Sequence, residues 1–143
     1  MAVYSLGQER TGLANGTALW ELRTAAAARA RIHVISLSYS IATSGWRFSV
    51  GRPAAIGITP TSPQTWLAHD PADPVGTVQG AVAWATGPTV PAAFFRQHFA
   101  FNQYMLFWTF PVPLTIAAAS SVVVWTGTAG TATTIQMFAR GDE

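Results

Sequence analysis

The sequence contains no cysteine and no lysine, and only 10% of its 143 residues are charged. Without cysteine there is no disulfide framework and no thiolate metal site, and no clue to redox compartment. Without lysine there is no phosphate-cradling Gly-x-x-x-x-Gly-Lys-[Ser/Thr] loop. Positive charge rests on eight arginines scattered along the whole length. A formal charge of +2 and a pI near 9.7 therefore do not amount to the dense basic patch that binding to phosphate backbones demands, and no nucleic-acid partner is expected. Six acids and three histidines leave few side chains from which to build an active site. Composition favours a structural or binding role over catalysis, with no enzyme activity and no cofactor.

Long apolar runs are also few. The one that demands a membrane test is residues 104–125, which carry no charge and are long enough to span a bilayer as a helix. Pro111 and Pro113 would kink such a helix near its middle, and Ser120 and Ser121 follow. The reading is two buried strands joined by a proline-rich turn, with no membrane partner. Residues 1–10 lack the basic stretch followed by an apolar one that marks a secretory signal.

What the chain does have is 50% hydrophobic residues, six Trp and eight Phe, enough in 143 residues to bury a core. Large residues alternate with serines through Ile35-Ser36-Leu37-Ser38-Tyr39-Ser40-Ile41, so one face of that strand is buried. Further strands are expected at 3–6, 17–23, 47–50, 55–59, 81–85, 99–110, 114–118, 122–126 and 133–138. Residues 24–31, rich in Ala, read as a loop or short helix. Four prolines between Thr59 and Pro74 mark a stiffened surface loop, Gly87–Pro91 a second punctuated link, and Gly127–Gly130 a hairpin turn. Many short strands without alternating helices give an all-β sandwich or barrel. A single domain over 1–143 is expected, with residues 1–16 as an N-terminal arm.

Candidate chemistry is thin. His69, Asp70 and Asp73 cluster, but Asp and Pro at this spacing start tight turns, whereas a transition-metal site draws ligands from more than one element. No Gly-x-Ser-x-Gly elbow exposes a nucleophile. The densest apolar feature is residues 94–110. Phe99 and Phe101 share a strand face, as do Leu106, Trp108 and Phe110; these aromatics are core, or become core when subunits associate. Trp46 and Trp66, in turn and loop contexts, either anchor those loops in the core or stack on a sugar ring.

The segments Gly51–Pro63 and Trp84–Pro91, with the strand ending Val123-Val124-Trp125, resemble small virion structural proteins of tailed bacteriophages, over most of Thr17 to Phe138. The resemblance implies an antiparallel β-sandwich of jelly-roll kind that forms a homotrimer, on the virion surface as a capsid decoration or cement protein or in the tail apparatus. The partner it implies is the major capsid protein, whose lattice such a protein binds and stabilises. On that reading Phe99, Phe101 and Tyr104 are expected at the subunit interface, and Val3, Tyr4, Leu6 and Arg10 at the capsid contact. A receptor- or carbohydrate-binding module using Trp46 and Trp66 is the alternative.

Overall fold

Alternation along residues 35–39 does what period two requires: in β3 (Ala30–Ser40), Ile35, Leu37 and Tyr39 are buried and Ser36 and Ser38 face the other way. The computed structural model describes residues 2–11, 16–40, 46–100, 103–127 and 134–143, with the side chains at 40, 100, 103 and 104 outside that description. Among the described residues there is no helix. Around β3, β1 (Val3–Arg10), β11 (Gln103–Ile116) and β13 (Ile135–Asp142) form one antiparallel sheet in the order β11-β3-β13-β1, extended at the β1 edge by β7 (Leu67–Ala68). A second sheet runs β10-β4-β12-β2, from β2 (Ala18–Arg23), β4 (Trp46–Gly51), β10 (Phe94–Ala100) and β12 (Ser121–Thr126). It is extended past β2 by β8 (Gln79–Ala81) and β6 (Gln64–Thr65). Among the eight long strands every step along the chain changes sheet except β4 to β10, which are neighbours. That connectivity is a jelly-roll sandwich.

The two sheets bury their side chains differently. In β13 of the first sheet, buried and exposed residues alternate from Ile135 to Arg140, so one face meets the core and the other meets solvent. In the second sheet, Ala18 through Leu22 and Ser121 through Val124 are buried without alternation. Both faces of β2 and β12 are covered. The outer cover comes from residues 52–93, the long excursion between β4 and β10, in which β5 (Ile58–Pro60) pairs with β9 (Trp84–Thr86) as a separate small sheet. Glu21, fully buried on this face, fastens the cover: its carboxylate accepts from Gly57 N (3.0 Å), Trp84 Nε1 (2.9 Å) and Ser121 Oγ (2.8 Å). A side chain at residue 57 would run into the Trp84 ring at 2.2 Å, so only glycine lets the cover lie this close.

The same excursion closes one long side of the sandwich. β6 belongs to the second sheet and β7 to the first, and between them Trp66 turns inward. Its ring stacks on Tyr4 at 5.3 Å and 10°, and its Nε1 donates to Glu143 Oε1 (2.8 Å), which also accepts from Thr77 N, Thr77 Oγ1 and Val78 N. The proline-rich stretch is thus a corner tied to both sheets.

Several expectations change here. Residues 3–10 are an integral strand between β13 and β7, not an arm. Pro111 and Pro113 do not divide two strands; they lie inside β11, at the register shift between Thr109 and Leu114, where an edge strand tolerates residues that cannot donate. β12 and β13 lie in different sheets; of the hairpin turn expected at 127–130, residues 128–130 lie outside the described residues. Residues 24–29 form a turn between β2 and β3, in agreement with the loop expected at 24–31.

Replacing Trp66 with Ala should lower stability by about 3–5 kcal/mol, because the cavity forms at the closure between sheets. Leu67→Ala, one residue on and 72% exposed, should change it by less than about 0.5 kcal/mol. Urea unfolding of the two variants measures the contrast.

Candidate functional surface

The acids that are out of solvent are bound to the protein's own donors. Glu21 and Glu143 hold the excursion as described. Asp142, buried in β13, pairs through Oδ1 with Arg31 Nε (2.7 Å) and through Oδ2 with His33 Nε2 (2.5 Å). Burial alone would raise the Asp142 pKa, but the hydrogen bonds and charges of Arg31 and His33 outweigh it and hold the carboxyl below its ordinary value. His69 and Asp70 are exposed in a turn where Asp73 N donates to Asp70 O (3.0 Å) and Ala72 N donates to Asp70 Oδ1 (2.9 Å). Among the described residues no three His, Asp or Glu side chains are grouped to hold a metal ion. These carboxylates tie elements together.

The surface that stands out is the long side opposite Trp66. There β10 ends one sheet and β11 ends the other, so among the described residues each strand has a partner on one flank only. Residues 95–99 of β10 are all exposed. By register His98 lies opposite Phe48 and Arg96 opposite Val50, so polar residues take the inward positions of this edge; Arg96 reaches across to lie 6.0 Å from the Phe110 ring of β11. Phe99, opposite Arg47, is 58% exposed. Phe95 sits at a register shift in β10 with the Arg52 guanidinium 5.1 Å from its ring. On β11, Leu106, Trp108 and Phe110 point into the core while Met105 and Phe107 remain 58% exposed. The sandwich is closed by an indole on one side. On the other it presents aromatics and inward-set charge, which discourages indiscriminate edge pairing.

Of the expected interface residues, Phe99 is exposed on this side, Phe101 lies outside the described residues, and so does the side chain of Tyr104. Of the expected capsid contacts, Tyr4 and Leu6 are core residues, and Arg10 turns back to donate to the Ala18 and Leu19 carbonyl oxygens; only Val3 is exposed. Strand β1 needs those side chains inside. Trp46 and Trp66 are buried at 0% and 1% exposure, Trp46 tilted against Phe48 at 5.7 Å, so neither offers a face to a sugar. Residue-level reading missed Phe95, Met105, Phe107 and Phe138 as exposed apolar positions. The signal was present at 105–108, where both alternating sets, Met105 with Phe107 and Leu106 with Trp108, are apolar or aromatic and an edge strand with one core face turns one of them outward.

A depressed Asp142 pKa stabilises the fold above the unfolded-state value of about 3.9 and ceases to do so as pH falls through the lower folded value. Asp142→Asn should therefore cost about 2 kcal/mol at neutral pH, with the difference from wild type shrinking below about pH 4. Urea midpoints measured from pH 7 to pH 2 check this.

No protein-family model, curated protein or solved structure matches this chain.

Proposed function

We propose that this chain is a non-enzymatic virion structural protein, a capsid decoration or cement protein that binds the major capsid protein lattice of a tailed bacteriophage as a homotrimer. The observation that carries the reading is the open side formed by β10 and β11, where Phe95 and Phe99 are exposed on a protein whose buried carboxylates serve as internal fasteners. Such a surface does its work by being covered. Three copies around an axis would cover Phe99 and its neighbours, and a trimer matches the three-fold positions of an icosahedral shell. The shell-facing contact then falls to the excursion, which displays Ile58, Leu67, Val75 and Val90. Binding there stabilises the shell by linkage: each copy bridges neighbouring subunits and raises the free energy needed to separate them. The sugar-binding alternative loses its residues, because both proposed Trp side chains are buried.

The purified chain should co-sediment saturably with shells lacking it and raise the temperature at which they come apart. Phe99→Asp should reduce the chain's solution mass threefold by light scattering without altering its circular dichroism. Binding to isolated tails and not to shells would move the protein to the tail; binding to neither would overturn the reading.

A further inference from the structure

The solvent-facing side of the first sheet carries a relief that the core does not require. Across its middle, cross-strand register aligns Gly7 of β1, Phe138 of β13, Ser36 of β3 and Phe107 of β11 in one row. Small and large side chains alternate along that row, and both phenyl rings are substantially exposed, at 40% for Phe138 and 58% for Phe107. Strands lie about 4.8 Å apart, so the rings stand roughly 10 Å from each other with Ser36 between them, and a second low position lies over Gly7. A groove of about 470 Å³ runs along these low positions, with Gly7, Ser36 and Ser38 in its lining and Met105 and Phe138 beside them.

The geometry points to a second copy of this chain as the occupant, packed face to face through a two-fold axis that lies between β13 and β3 and runs close to the strand direction. That operation exchanges β13 with β3 and β1 with β11. It sets each Phe138 over the partner copy's Ser36 and each Phe107 over its Gly7, so all four positions of the row meet their opposites in size. The neighbouring rows obey the same operation. Glu9, Gln136, Ser38 and Met105 form one, and Ser5, Arg140, Val34 and Thr109 the other. The axis puts Glu9 over Met105, Gln136 over Ser38 and Arg140 over Val34, so no like charges meet. An axis near the strand direction is also what aligned sheet packing produces, with mean strand directions within about 30° and sheets about 10 Å apart. Four strands of about eight residues make a face of roughly 500 Å² in projection, the scale of one side of a modest, specific interface. A bound peptide strand would need a free backbone edge, and β13 and β3 are interior strands.

This contact is separate from the shell-binding reading and from the Phe99 side. Light scattering at micromolar concentration distinguishes them, because a mass divisible by two reports the face and a mass divisible by three reports the β10/β11 side. Two or six chains are expected; one or three would overturn the inference. Phe138→Ser should halve the mass and weaken pairing roughly 30-fold or more. Ser36→Phe adds apolar surface yet fills the slot, so it should also halve the mass; stronger association would show a merely sticky face and overturn the pairing. Ser36→Phe combined with Phe138→Ser exchanges ridge and slot and should restore the wild-type mass. Failure of that rescue, with the circular dichroism of all variants intact, would likewise overturn it.

Discussion

The insertion of Trp66 between the two sheets, fixed by Glu143, is the constraint on which the rest of the architecture depends. A two-sheet sandwich has two long sides through which water can reach the core. Here one side is sealed by an indole that stacks on Tyr4 of one sheet while its backbone N donates to Val78 O beside β8 of the other. Gly76 allows this, since a side chain there would stand 2.2 Å from the Trp66 ring. With one side sealed from within the chain, the exposed aromatics concentrate on the other, and the molecule acquires a direction: a finished side and an unfinished one.

How much of this the sequence discloses depends on the scale of the interaction. Local alternation at Ile35–Tyr39 and the apolar strand at Val122–Trp125 are legible because period two and β-propensity act over a few residues. The double burial of β2 and β12 is not legible, because their outer cover comes from 52–93, whose prolines and glycines signal a surface loop. That inference about local conformation holds, as the strands there are two or three residues long. It misses the tertiary consequence, in which a stiff loop buries Glu21 and Trp66. The Phe94–Ile116 region is misread for a related reason. Aromatic residues dense on both sides of Asn102 and Gln103 hide both the passage between sheets and the fact that β10 and β11 are edges, where Pro111 and Pro113 are acceptable. The candidate surface was correspondingly half-visible: Phe99 was singled out, whereas Phe107 and Phe138 become meaningful only when register places them in one row.

Low charge and high aromatic content take a common explanation from the structure. A chain with six acidic side chains, five of them accepting hydrogen bonds from its own backbone or side chains, has little ionic surface with which to steer partners over distance. Recognition then depends on shape and on removal of apolar surface from water, both short-ranged. Such contacts form slowly in dilute solution and depend little on salt.

The pairing of β1 with β13 carries a further consequence, for the order of events in folding. β13 lies between β1 and β3, so Val3 meets Asp142 and the first sheet is split in two until residues 135–142 have been synthesised. Neither Glu143 nor the Arg31–Asp142 pair can act before then. Loops of this span are costly to close, and proteins dominated by such contacts fold in milliseconds to seconds, far more slowly than helical bundles. Until β13 is in place the core stays exposed along the seam it fills, and the incomplete sandwich is prone to aggregate there.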